Sequence, residues 1–122
     1  FERYLNIFKD YRGNLFTGGF CIKEFIELKK YGNCTNEWRV FYMNKNIISI
    51  SQNSLQPDFV NKVPKELIDK YKNLPSPFYT VDYAELTDGT WKILEAGDGQ
   101  VSGLSPNQDA ESFFRTINII QN

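Results

Sequence analysis

The chain has 122 residues, 41% of them hydrophobic, 16% aromatic and 24% charged, which suits one globular domain with a real core and excludes a disordered segment. Its net charge of −1 argues against non-specific binding to nucleic acid or a membrane surface, since both lean on excess positive charge. It has no histidine and only two cysteines, Cys21 and Cys34, so a Ser-His-Asp or Cys-His triad within the chain and a disulfide framework are both excluded.

Phe1, Leu5 and Phe8, with Tyr4 and Tyr11, recur at helical spacing and predict an opening helix that Gly13 ends. A loop through Gly18-Gly19 leads to a predicted strand, Phe20–Ile26, with Cys21 as a small core residue. Leu28–Asn36 is polar, holds Gly32 and reads as a loop; its Asn33-Cys34-Thr35 fits the N-glycosylation pattern but nothing else looks secreted. Glu37–Met43 and Ile47–Gln52 read as strands joined by an Asn44-Lys45-Asn46 turn. After Pro57, Pro64–Leu74 reads as a helix with proline in its first turn, broken by Pro75-Ser76-Pro77. Phe78–Leu86 and Thr90–Ala96 are strands around Asp88-Gly89, a hairpin turn signal. A Gly/Ser/Pro segment then precedes a final helix, about Asp109–Ile120, with Phe113, Phe114, Ile117 and Ile120 as its buried stripe. The expected fold is α+β: a mainly antiparallel sheet of about five strands with helices packed on one side, in a single domain spanning residues 1–122.

If Asp88 and Gly89 form a two-residue turn, Leu86 faces Trp91, Ala84 faces Ile93 and Asp82 faces Glu95 on the face expected to be buried. Glu85 with Lys92 and Tyr83 with Leu94 then occupy a partly solvated face. Like charges directly opposite destabilise a sheet, and a divalent cation shared by Asp82 and Glu95 would remove that penalty. Asp98, in the Gly-rich run after Glu95, is a candidate third oxygen ligand, and a hard-oxygen set suits Mg²⁺ or Mn²⁺. The alternative is that the strand ends are solvated and the pair faces water. Glu37 and Arg39 share one strand face, either as a solvated charged surface or as a polar clamp, Glu for a sugar hydroxyl and Arg for phosphate oxygens. Lys23-Glu24-Phe25-Ile26-Glu27 ends a predicted strand, where free backbone groups can meet a flat heterocycle.

In chain order these pieces resemble the C-terminal half of an ATP-grasp fold, in the arginine-arginine-lysine clade of that superfamily. Phe20–Glu27 resembles the adenine-binding hinge strand, Glu37–Phe41 the strand after it and Ile48–Gln52 the return strand. Thr80–Ala84 and Ile93–Leu104 resemble the two metal-binding segments. The resemblance covers about Phe20 to Ile120. It implies that Lys23, Glu24 and Ile26 line the cofactor site, with the backbone of Glu24 and Ile26 bonding adenine, and that Glu37 binds the ribose hydroxyls. It also implies that Arg39 acts on phosphate or an acyl-phosphate intermediate, and that Asp82 and Glu95 hold Mg²⁺ against ATP. Many relatives carry Asn two residues after the metal-binding Glu; this chain has Gly97 there, which leaves Asp98 or Gln100 to supply the third ligand.

The implied chemistry is activation of a carboxylate by ATP for attack by an amine or similar nucleophile. The implied partners are a nucleotide, an unidentified carboxylate and amine, and an N-terminal half with a Gly-rich loop and a lysine over the phosphates. Phe1–Gly19 is too short to be that half, and the chain does not begin with Met, so it reads as the C-terminal subdomain of a larger protein and as an incomplete catalyst by itself. With no run near 18 apolar residues and no signal peptide in view, the expected setting is cytoplasmic, without membrane or nucleic acid. The competing reading is a non-catalytic protein- or peptide-binding module that retains the fold.

Overall fold

Every strand of the main sheet pairs antiparallel with its neighbours, and the order β4-β3-β5-β6 places β3 (Glu37–Met43) and β5 (Phe78–Glu85) at the centre, with β4 (Asn46–Gln52) and β6 (Trp91–Asp98) flanking them. The structure, a computed structural model, describes residues 2–4, 6–7 and 22–121. Residues 2–4 and 6–7 are helical, as the spacing predicts; the rest of that helix, its Gly13 stop, and Phe20 and Cys21 lie outside the described residues. A two-stranded hairpin, β1 (Lys30–Tyr31) with β2 (Cys34–Thr35), turns at Gly32 in the expected loop, and the helices α1 (Lys65–Lys70) and α2 (Ala110–Gln121) complete the α+β fold. No described helix is long and apolar enough to cross a membrane.

β3 alternates apolar residues on both faces, so the sheet carries a core on each side. Trp38, Val40 and Tyr42 pack with Tyr79, Val81 and Tyr83 under Val60, Val63 and Ile68. The Tyr42 hydroxyl closes this layer, lying 2.7 Å from the Tyr83 hydroxyl and donating to the Ile68 carbonyl at 2.9 Å. On the other face Phe41, Met43 and Ile48 pack under Phe113 of α2, whose ring meets Phe41 edge-on at 4.7 Å. The α+β class and the antiparallel sheet are as expected, but the helices lie on opposite faces rather than on one, because Phe41 and Tyr42 are both fully buried and point opposite ways.

The β3–β4 turn is the two residues Asn44 and Lys45, both at positive φ (48° and 67°), a geometry that asparagine tolerates well. Helix α1 is shorter than expected, with Pro64 as its N-cap; the residue before a proline is driven out of the helical region, so Leu74-Pro75 cannot extend it. Of the predicted strand Phe20–Ile26, the described residues Ile22–Ile26 take no strand partner, and the main sheet has four strands. Ile22 and Phe25 there are 74% and 87% exposed, and only Ile26 is half-buried.

The β5–β6 hairpin departs from the expected register near its turn. The Leu86 N–H donates to Thr90 O and the Gly89 N–H to Leu86 O, which makes Thr87-Asp88-Gly89 a three-residue loop with Gly89 at φ 84°. Glu85 therefore faces Trp91, Ala84 faces Lys92, and Tyr83 faces Ile93. A bulge at Leu94 then restores the expected pairing of Asp82 with Glu95.

Candidate functional site

The face that carries α2 also carries rows of facing residues across β3, β5 and β6. Glu37, Ala84 and Lys92 form one row, Arg39, Asp82 and Glu95 the next, and Phe41, Thr80 and Gly97 the third. Phe113 covers Phe41 in the third row, while the segment after β6 turns back over the second and third. That return needs Gly99, where a Cβ would lie 2.7 Å from the Phe78 ring. It is fastened where Ser102 donates to the Asp98 carbonyl through its N–H (3.1 Å) and hydroxyl (2.8 Å), and where the Ser102 and Thr80 hydroxyls meet at 2.9 Å.

Asp82 and Glu95 face each other on adjacent antiparallel strands, as the sequence leads one to expect, but in unlike surroundings: Asp82 is 7% exposed and Glu95 lies in the open. Arg39 grips both oxygens of Asp82, Nε donating to Oδ1 and Nη2 to Oδ2, each at 2.8 Å, while Nη1 donates to Gly103 O at 2.8 Å. The hydrogen bond to Asp82 raises the pKa of the Arg39 guanidinium, with burial opposing and the nearby Glu95 charge helping. Glu37 shares the Arg39 face but is held by the Thr35 hydroxyl instead. Asp98 pairs with Tyr79 and so projects from the other face of the sheet, where its carboxylate accepts the Gln100 N–H at 2.9 Å. The structure does not bring Asp98 to the Asp82–Glu95 pair, and no group of three or more Asp, Glu, Cys or His gathers for a metal among the described residues.

The donor chemistry nevertheless fits Mg²⁺. Asp82 and Glu95 offer carboxylate oxygens in one row, with the Thr80 hydroxyl in the next row of the same face. Mg²⁺ is ordinarily held by one or two carboxylates together with water and substrate phosphates, so a third carboxylate is not required. It would share Asp82 with Arg39 or displace it.

Beside these rows the Lys23–Ile26 segment stands against Lys92, Ile93 and Leu94 of β6 across a cleft of about 340 Å³, and Lys23 Nζ donates to Leu94 O at 2.9 Å. Lys23, Glu24 and Ile26 are thus brought together on the edge strand, and Lys92 belongs both to the cleft and to the Glu37 row. The sequence reading missed Lys92 because a two-residue turn puts it on the wrong face. It also missed Thr80 and Ser102, whose hydroxyls carry no sequence signal, and Glu85, taken as partly solvated but fully buried.

No curated protein and no solved structure matches this chain significantly. The model of an ATP-grasp domain family, the third family of the arginine-arginine-lysine clade, matches residues 1–117. The chain therefore belongs to the arginine-arginine-lysine clade of ATP-grasp domains, the family that its sequence resembles.

Proposed function

We propose that this chain is the ATP- and Mg²⁺-binding C-terminal subdomain of a larger ATP-grasp ligase that activates a carboxylate as an acyl phosphate for an amine or similar nucleophile. Membership of the family implies ATP-dependent ligase-type chemistry. The observation that carries the finer reading is the single row Arg39–Asp82–Glu95, a fixed cation beside two hard carboxylates at the edge of a cleft. In the reaction a carboxylate oxygen of the acid attacks the terminal phosphorus of ATP and ADP leaves. The nucleophile's nitrogen then attacks the acyl carbon, gives up a proton, and inorganic phosphate departs.

Phosphoryl transfer is chiefly positioning and neutralisation of charge. The backbone of Glu24 and Ile26 takes the base, Glu37 the ribose hydroxyls, and Lys23 lies at the cleft mouth. Arg39, prepositioned by Asp82 and Gly103 O, presents its fixed positive charge to phosphate or acyl-phosphate oxygens. Mg²⁺ on Asp82 and Glu95 supplies further neutralisation of phosphate charge when bound. The phosphate-covering loop and lysine are assigned to the N-terminal half.

The test is hydroxylamine trapping. The full-length protein, given Mg·ATP and a panel of carboxylic acids, should form a hydroxamate and release ADP in equal amounts with at least one acid, and Glu95→Gln should stop both. Failure of the wild type to bind Mg·ATP in calorimetry would instead favour the non-catalytic binding module.

A further inference from the structure

The carboxylate that this chemistry leaves unused is Glu85, at the end of β5 on the opposite face from Asp82. It is fully buried, yet each of its oxygens is doubly occupied. Oε1 accepts from Lys29 Nζ at 3.2 Å and Asn61 Nδ2 at 2.9 Å, and Oε2 from the Tyr31 hydroxyl at 3.0 Å and Asn36 Nδ2 at 2.7 Å. An ionised carboxylate has about four lone-pair sites, so the group is saturated with donors. Asn36 is itself fixed, its Oδ1 accepting from Trp38 Nε1 at 2.8 Å. The main chain repeats the grip: Lys29 N–H donates to Glu85 O at 2.9 Å, Glu85 N–H to Asn36 O at 3.1 Å, and Leu28 bridges to Leu86.

Lys29 and Tyr31 belong to the stretch that leads directly out of the cleft segment. Upstream of it the described segment has few ties to the sheet: Lys23 Nζ on Leu94 O, and Thr87 N–H on Glu27 O at 3.4 Å. Ile22 and Phe25 are 74% and 87% exposed and only Ile26 is half-buried, so packing on the described residues does little to hold it. Among the described residues, the segment's firmest tie is therefore its downstream anchor.

We propose that Glu85 is a positioning residue for nucleotide binding: through Lys29 and Tyr31 it fixes the Lys23–Ile26 segment against β6 and so sets the width of the cleft that receives the base. The inference rests on the nucleotide reading given above. A glutamine fits poorly in its place, because in either orientation its amide N–H groups would face a side chain that can only donate, Asn36 Nδ2 at one oxygen position or Lys29 Nζ and Asn61 Nδ2 at the other.

Glu85→Gln and the milder Lys29→Met, which removes one donor at a 37% exposed side chain, are compared with wild type in the full-length protein, below the melting temperature of each. The expected result is a KM for Mg·ATP raised about tenfold in Glu85→Gln, the low end for loss of a supporting hydrogen-bond partner, and by less in Lys29→Met. In both variants kcat should stay within about threefold, the signature of lost uniform binding. Amide exchange without nucleotide should quicken over residues 23–29 and stay unchanged in α2. A folded Glu85→Gln with wild-type KM overturns the proposal, as does a loss of rate that merely follows the unfolded fraction. Should Glu85→Gln not fold, an unchanged KM in Lys29→Met overturns it equally. If the wild type binds no Mg·ATP, the nucleotide reading falls and the proposal with it, while unchanged exchange over residues 23–29 in a protein that does bind overturns the positioning role alone.

Discussion

Replacing Arg39 by Ala should damage both stability and turnover, and the two losses can be separated. From the sequence, Arg39 stands beside Glu37 on one strand face, and an exposed pair of that kind is worth under about 1 kcal/mol. The structure pairs it instead with Asp82, in a two-pronged contact whose side chains are 18% and 10% exposed. Removing the guanidinium takes away both bonds to Asp82 and leaves a carboxylate at the edge of the core with no cation. Loss of hydrogen bonds to a charged, mostly buried group comes to about 2–3 kcal/mol here. In a chain of this size that corresponds to about 8–12 °C of melting temperature. Asp82→Ala and the double variant complete a cycle, in which the coupling energy should be about 1.5–2.5 kcal/mol. Turnover by the full-length protein should fall further than stability explains: loss of a transition-state contact to phosphate oxygens raises the barrier about 2–4 kcal/mol, roughly 30- to 1,000-fold, by analogy with lost oxyanion donors. Arg39→Lys restores the charge without the fork, so it should recover part of the rate and little of the coupling. Thermal melts and ADP release measured on the same samples read both quantities. A coupling energy below about 0.5 kcal/mol would refute the two-pronged geometry, and wild-type turnover at temperatures where the variant is folded would reduce Arg39 to a structural residue.

Glu95 is exposed, so Glu95→Gln should change stability by less than about 0.5 kcal/mol; yet it should abolish the Mg²⁺-dependent part of the thermal shift produced by ATP in the full-length protein, and an undiminished Mg²⁺ dependence would remove Glu95 from the site. Burial pushes the Glu85 carboxyl up, but donors from Asn36, Asn61, Tyr31 and Lys29 together hold its pKa below the ordinary value. Such a depressed group contributes stability above the unfolded pKa, about 4.3, and loses it as pH falls through the folded value. Melting temperature should thus drop more steeply below about pH 4.5 in wild type than in Glu85→Gln; parallel curves count against the network. Gly99→Ala places a Cβ against the Phe78 ring and should destabilise the fold by about 1–3 kcal/mol in denaturant titrations. Gly89→Ala, at φ 84°, should be destabilising by about 1–2 kcal/mol, and a neutral effect would mean the loop adopts another turn.

The elements that the sequence makes plain are those with a repeating physical signal. Glu37–Met43 is matched to the residue because four strand-forming residues, Trp38, Val40, Phe41 and Tyr42, lead to a turn that asparagine favours. The final helix is legible from Phe113, Ile117 and Ile120 at helical spacing, all of which pack on the Phe41 cluster, whereas Phe114, read as part of the same stripe, is 57% exposed. Which face a helix covers has no such signal. β3 is apolar on both faces, and a central strand reads alike whether its cover lies on one side or two. The Ile22–Ile26 run fails as a strand for the opposite reason: its apolar side chains suit a sheet, but strand identity is conferred by a partner, and among the described residues it finds none. Glu85 was illegible because nothing in its neighbours along the chain announces Asn36, Asn61, Lys29 and Tyr31 arriving from elsewhere.

The Asp82–Glu95 pairing is the instructive case, since it is right although the turn that suggested it is not the turn that forms. Thr87-Asp88-Gly89 adds a residue to the loop and shifts the register by one. Left uncorrected, that shift would carry through the rest of β6 and set Asp82 against Leu94. The bulge at Leu94 absorbs it, and the reason lies in what each half of the hairpin must bury. Tyr83 is fully buried and Ile93 packs with its cluster, so near the turn the shifted register brings apolar partners together. Further along, Gly97 lies opposite Thr80, where a Cβ would make only an ordinary 3.4 Å contact with the Ser102 hydroxyl. The constraint comes at Gly99, which must meet Phe78, whose ring leaves no room for a side chain. Packing therefore sets the register independently at the two ends, and a single extra residue reconciles them. That extra residue falls immediately before Glu95, at the point where β6 passes from the cleft to the carboxylate row. The bulge thereby lets one strand turn Lys92, Ile93 and Leu94 to the cleft and Glu95 into the row of Arg39 and Asp82, which places the irregularity of the hairpin at the candidate site rather than at the turn.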